Sequence, residues 1–178
     1  MVSIRDKAVV RRADEEDLRA MAEINAATFG GNKGSMDRAL QWVTCRFHAF
    51  PQYQYFVLEV EGEVIGYVGW EILGGFMRSE PVIELEQVAL SAEFQGGGLG
   101  SRLNEETQGM MMEWIADDNP NATEVRVVVW AYALNAPAMA SYRRQFHDQM
   151  QGMRNMYGDG DRTENMLRLR ILVEPYRK

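Results

Sequence analysis

The run Val88-Ala89-Leu90-Ser91-Ala92-Glu93-Phe94-Gln95-Gly96-Gly97-Gly98-Leu99-Gly100-Ser101-Arg102-Leu103 is the part of the sequence whose residue types and spacing most directly offer chemistry. It reads as a strand, a short turn, a cluster of glycines and the start of an amphipathic helix. Glycines at such a junction let backbone N–H groups converge on an anion, and the helix dipole adds partial positive charge there. A pyrophosphate suits the turn, and three ligand classes carry one. A P-loop needs lysine and Ser/Thr after its second glycine, whereas Gly100 is followed by Ser101-Arg102. A dinucleotide fingerprint needs G-x-G-x-x-G in the first βαβ unit, whereas Gly96 and Gly98 are followed by Ser101 and come after a helical pair and a β-hairpin. Coenzyme A is the third reading. The plainer alternative is a glycine turn made only for tight strand–helix packing.

Carboxylates and one tyrosine stand close by in sequence. Glu84 and Glu86 project from one face of the strand that leads into the glycines, the face of Val88. A carboxylate there could take a proton from an ammonium, whose reference pKa is near 10.4 for lysine and about 7.7 to 8.0 for an α-amine. Two solvated carboxylates on a sheet edge are the competing reading. Downstream, Asn135 and Tyr142 are seven residues apart, about two helical turns, and so share a face. Tyr142 could equally be one aromatic on a buried stripe with Met139 and Phe146. His48 and His147 read as surface or packing residues, and Cys45 as core packing.

To stand together these groups need a frame, and the apolar periodicity supplies one. Val9 to Arg12 reads as a strand, and Asp14 as the N-cap of a helix to about Phe29. Gly30, Gly31, Asn32 and Gly34 break that helix, and Met36, Ala39, Leu40, Val43 and Phe47 mark a second one ending before Pro51. Tyr55–Val60 and Val64–Leu73 form a hairpin about Glu61-Gly62-Glu63. Val82–Leu90 is the next strand, and the helix after the glycines stops near Asp117-Asp118-Asn119-Pro120. Val125–Ala131 is nearly continuously apolar, as in a strand covered on both faces. Asn135-Ala136-Pro137 opens a helix carrying Met139, Tyr142, Phe146, Met150 and Met153, and Gly158 to Thr163 loops into a last strand, Met166–Val173. The expected order is β α α β β β α β α β in one mixed α/β layer.

A chain of 178 residues has room for one well-cored domain, here spanning 1–178. No apolar run approaches the roughly 20 residues that span a bilayer, and the amino-terminal residues lack an apolar signal core. The single cysteine makes neither an internal disulfide nor a zinc site, so the reading is cytoplasmic and metal-free. A net charge of −7 opposes binding to nucleic acid and mildly favours a cationic substrate.

The glycine segment resembles the signature of the GNAT superfamily, Gln/Arg-x-x-Gly-x-Gly/Ala after a strand, matched by Gln95, Gly98 and Gly100. A second match is the Asn, Ala and Tyr at the next helix, here Asn135, Ala138 or Ala136, and Tyr142. The resemblance covers residues 9 to 173 and implies a twisted mixed sheet flanked by helices in three αβα layers. It implies an N-acetyltransferase that moves the acetyl group of acetyl-CoA to a primary amine in a ternary complex. By the same resemblance the backbone of Val88, Ala89 and Leu90 would pair with pantetheine and polarise the thioester. Gln95, Gly96, Gly97, Gly98, Leu99, Gly100 and Ser101 would hold the pyrophosphate, with Asn135 also toward the cofactor. Tyr142 would protonate the leaving thiolate, and Glu84, ahead of Glu86, would be the base.

Arg154-Asn155-Met156-Tyr157-Gly158-Asp159-Gly160 is loosely similar to a segment of N-terminal acetyltransferases of the ribosomal-protein type. Two departures limit the resemblance: Trp130 stands where those enzymes carry a catalytic glutamate, and Phe146-His147 replaces the Gly-Phe usual after the family tyrosine. The resemblance also admits a homodimer, and it leaves a catalytically silent acyl-CoA-binding module as the alternative function.

Overall fold

The computed structural model describes residues 4–30, 35–146, 148–154 and 163–178. It is an α/β protein with a mixed sheet flanked by helices, and its residues fall into two compact units. One unit comprises Met1–Glu71 and Gln87–Met111; the other comprises Ile72–Glu86 and Met112–Lys178.

The first unit opens with α1 (Ile4–Lys7) and β1 (Ala8–Arg12). Asp14 then starts a helical turn as the sequence predicts, accepting from the Glu16 amide at 2.9 Å, while Asp17 accepts from the Asp14 amide at 2.8 Å in a capping box. Asp17 is buried, which pushes its carboxyl up, but two bonds from Arg11 at 2.6 and 2.8 Å and the Asp14 amide more than offset this and hold it below its ordinary range. The turn feeds α2 (Leu18–Phe29), followed by α3 (Met36–Phe47), β2 (Tyr53–Val60) and β3 (Glu63–Gly74). β1, β2 and β3 are antiparallel, and pairing of Val60 with Glu63 leaves Glu61-Gly62 as the expected hairpin turn. Leu18, Met21 and Ile24 of α2 and Ala39 and Val43 of α3 pack on Tyr53, Tyr55 and Tyr67 of the sheet. Cys45 does not join them: it is exposed on α3, because the turn of that helix gives the core to Ala39 and Val43.

β4 (Val82–Leu90) ends in this unit, beside β3, and a glycine of β3 fixes how closely the two approach. A Cβ on Gly66 would lie 2.4 Å from Leu90 Cδ2 and 2.9 Å from the Ala89 carbonyl oxygen. Gly66→Ala should therefore destabilise the protein by about 1–3 kcal/mol through overpacking, read as a lower urea midpoint. An unchanged midpoint would mean that β4 is not held at this distance.

In the second unit β4 pairs parallel with β5 (Glu124–Tyr132), and the ladder runs from Val82↔Arg126 to Leu85↔Val129. β5 pairs antiparallel with β7 (Thr163–Leu172). Val125, Val127, Val128, Val129 and Ala131 are all buried, and the consecutive burial of Val127 to Val129 is the double coverage that their nearly continuous apolar run predicts, with Arg126 exposed. α4 (Leu99–Asp118) contributes its C-terminal part from Met112 onward here, and α5 (Ala136–Gln145) follows β5.

The helix read through Met153 stops eight residues earlier, at Gln145. Phe146 turns extended at φ −104 and ψ 102, and Asp148–Arg154 forms β6 along β7, pairing Gln151 with Met166 and Arg154 with Thr163. The spacing of Met150 and Met153 fits a helix, but pairing with a distant strand overrides that local preference. Residues 31–34, His147 and the segment 155–162 lie outside the described residues, and with them the ribosomal-type segment beyond Arg154. Among the described residues no helix is long and apolar enough to cross a membrane.

Candidate active site

The glycine segment lies wholly in the first unit. Its entry is anchored where the Ser91 amide donates to the Ile65 carbonyl at 2.9 Å. A single helical turn, Ala92–Phe94, follows, and the Gln95 side chain reaches back to donate to the Leu90 carbonyl at 3.0 Å. Gln95 thus ties the end of β4 to the start of the turn.

Gly96 and Gly98 then take φ of +83 and +77, a region that other L-residues rarely adopt. A Cβ on Gly96, Gly97 or Gly98 would meet nothing within 4 Å, so internal packing does not demand glycine at these positions. Backbone conformation and open approach do. Gly100 differs, since its Cβ would lie 3.3 Å from Leu90 Cδ1, and it keeps α4 close to β4.

The Arg102 amide donates to the Gly98 carbonyl at 3.1 Å, which sets the N-terminus of α4 at the end of the glycine run, where the first amides of a helix point out of it. Leu99 and Leu103 are buried and hold that helix end in place. Exposed glycines, positive φ and a fixed helix N-terminus make a cradle that fits a pyrophosphate. Upstream, Val88, Ala89 and Leu90 lie beyond the last β5 pair, Leu85↔Val129, with Ala89 buried and its neighbours half-buried. A cavity of about 360 Å³ adjoins this end of β4, touching Ile24, Ala27, Leu90, Ser91 and Gln95.

The second unit carries the candidate acid and bases. Glu84 and Glu86 alternate with buried Ile83 and Leu85 on β4, and both are half-buried. Asn135 is the N-cap of α5, its side-chain oxygen accepting from the Ala138 amide at 3.3 Å. Seven residues on, Tyr142 stacks edge-to-face on Phe146 with ring centroids 6.0 Å apart. Met139 and Phe146 are buried, so Tyr142 does lie on the apolar stripe. Tyr142 is half-buried, and burial pushes the pKa of its hydroxyl up to about 12.

Sequence reading passed over Gln87. It is the half-buried residue immediately before Val88, and its side-chain oxygen lies 3.2 Å from the Tyr67 hydroxyl and 3.4 Å from Asn25 Nδ2. The available signal was a polar residue between Leu85 and Ala89, at alternate positions that are otherwise buried and apolar.

A model of the acetyltransferase (GNAT) family matches residues 18–147 of the chain. The N-alpha-acetyltransferase of Sulfurisphaera tokodaii is 28% identical over 113 residues, which make up 60% of this chain but only 64% of that relative. Among solved structures, the RimL ribosomal L7/L12 alpha-N-protein acetyltransferase in complex with coenzyme A matches with a TM-score of 0.68 at 17% identity, covering 94% of this chain and 96% of that one. The spermidine/spermine N-acetyltransferase SpeG from Vibrio cholerae matches with a TM-score of 0.62 at 17% identity, over 98% and 97% of the two chains. At such identities the likeness to the solved structures is one of fold.

Proposed function

The chain belongs to the acetyltransferase (GNAT) family, and from that premise we propose that it is an N-acetyltransferase joining acetyl-CoA and a primary amine in a ternary complex. The observation that carries this reading is the open glycine cradle at the head of α4, with positive φ at Gly96 and Gly98 and free space where their Cβ atoms would stand. We read 1–178 as one such domain, since the boundaries of both units cut through continuous elements: β3, β4 and α4. The exposed thiol of Cys45 suits a reducing cytoplasm.

Bound there, acetyl-CoA supplies an activated acetyl group as a thioester. In this reading the amides of Gly96 to Ser101 hold the pyrophosphate, and Val88, Ala89 and Leu90 offer backbone to the pantetheine arm. The Val88 amide donates to the thioester oxygen as negative charge gathers on it. Glu84, with Glu86 as the second candidate, takes one proton from the substrate ammonium and leaves a nucleophilic amine. The C–N bond forms, the C–S bond breaks, and Tyr142 gives its proton to the departing sulfur. The nitrogen, positively charged once the C–N bond exists, sheds its second proton and restores the tyrosine. An amide and a thiol result, with one proton released. This return path matters because a phenol pushed up to about 12 is a weak acid, driven only if its phenolate is neutralised at once.

Replacing Glu84 and Glu86 together by glutamine tests the base. The double variant should lose about 10²- to 10⁴-fold in kcat near neutral pH. It should recover as pH rises toward the pKa of the amine itself, where deprotonated substrate needs no base. An unchanged pH profile removes both carboxylates from the mechanism.

A further inference from the structure

The acceptor amine can be narrowed by a second cavity of the first unit, an inference that rests on the acetyl-transfer reading and goes deeper into the same reaction. This cavity, about 400 Å³, lies between α2 and α3 and is lined among others by Asn25, Phe29, Arg38, Trp42 and Gln87. Its volume is in the range of small-molecule sites. It reaches β4 at Gln87, one residue before the Val88 amide.

One wall is a chain of buried hydrogen bonds whose direction can be worked out. Asn25, 8% exposed, donates its side-chain NH2 to the Tyr67 hydroxyl oxygen at 2.6 Å. Tyr67 has one hydroxyl proton, and at 3.2 Å the Gln87 carbonyl oxygen is there to accept it. The Gln87 carboxamide is thereby fixed with its oxygen toward Tyr67 and Asn25, which leaves its two N–H donors for the cavity. Arg38 lines the same cavity, exposed and paired with no carboxylate among the described residues. Phe29 and Trp42 add aromatic surface, 51% and 45% exposed. The Trp42 ring carries the Arg46 guanidinium over one face, 4.3 Å from its centroid.

No described residue that lines the cavity is acidic. The site therefore presents hydrogen-bond donors, one cation and aromatic walls, whatever the net charge of −7 over the whole chain. A polyamine would bring only positive charge to Arg38 and would find no counter-ion. We propose that the acceptor is a small amine that also carries an anionic oxyacid group, as an α-amino acid does, with that group taken by Arg38 and the Gln87 amide. The amine is then left free toward Val88. A guanidinium binds a carboxylate or a phosphonate alike through charge-assisted hydrogen bonds.

The test is thiol release at saturating acetyl-CoA with matched acceptors: free α-amino acids, their carboxamides, aminophosphonates, spermidine and a short C-terminally amidated peptide. The carboxylate form should exceed its carboxamide in kcat/KM by roughly 10- to 100-fold. The aminophosphonate arm reports which oxyacid is preferred. Arg38→Met should remove most of that ratio through KM with kcat retained, whereas Arg38→Lys should restore part of it. Arg38 is exposed, so both variants should melt as the parent does. Spermidine, the carboxamide or the amidated peptide turning over as well as the free amino acid would overturn the proposal. So would turnover of no anionic amine by a protein that acetyl-CoA still stabilises. Failure of acetyl-CoA to stabilise the protein at all would instead strike the acetyl-transfer reading beneath it.

Discussion

Gly98→Val should abolish the acetyl-CoA-dependent rise in melting temperature while the protein still folds. At φ +77 a β-branched residue is strained by about 1–2 kcal/mol, a cost that a chain of this size survives. The added Cβ meets nothing within 4 Å, so no overpacking adds to that cost. Binding suffers on two counts: the backbone relaxes away from positive φ and turns the amides of the cradle, and the new side chain stands where a pyrophosphate must approach. A ligand at 100 times its Kd contributes about 2.7 kcal/mol, and the whole of it should vanish. Gly109→Ala is the matched control. Its Cβ also meets no neighbour within 4 Å, but it lies inside α4, where alanine should stabilise by roughly 0.8–1 kcal/mol and leave the ligand shift intact. Retention of the full shift by Gly98→Val would return the glycines to a merely structural role.

Tyr142→Phe should lower kcat by roughly 10²- to 10⁴-fold while KM for acetyl-CoA stays near its original value. The ring contact with Phe146 survives this change, so the effect isolates the hydroxyl. Burial raises the folded-state pKa of that hydroxyl to about 12, against an ordinary value of 10. The folded state thus favours the neutral phenol. This contributes stability that is fully present below pH 10 and is lost as pH rises through about 12, because the unfolded chain ionises first. The phenylalanine variant should lack that segment of the pH–stability curve. The parent's kcat should show no loss from ionisation of Tyr142 below about pH 11, since the acid stays protonated. Full kcat in the variant at every pH would leave Tyr142 as an aromatic on the stripe with Met139.

The elements that position the glycine cradle were legible because their signals are local. Asp14 caps the turn before α2, Glu61-Gly62 turns the hairpin, and the apolar run at Val125 marks a strand buried on both faces. What the sequence concealed depends on distant partners. β6 exists because β7 offers an edge to Asp148–Arg154, which the helical spacing of Met150 and Met153 cannot reveal. Cys45 is outside the core because Ala39 and Val43 take the buried side of α3, a matter of helix rotation. Gln87 acquires its orientation only when Tyr67 of β3 and Asn25 of α2 fold against it. The glycine motif points to a family from sequence alone, whereas the proposed acceptor site depends on side chains brought together from α2, α3 and β4.

Thermal melting of the purified protein with acetyl-CoA, CoA and NAD in parallel tests the central claim most directly. Acetyl-CoA and CoA should each raise the melting temperature, by roughly 5–10 °C at 100 times Kd, and NAD should not. No shift with either form of coenzyme A would contradict the acetyltransferase account.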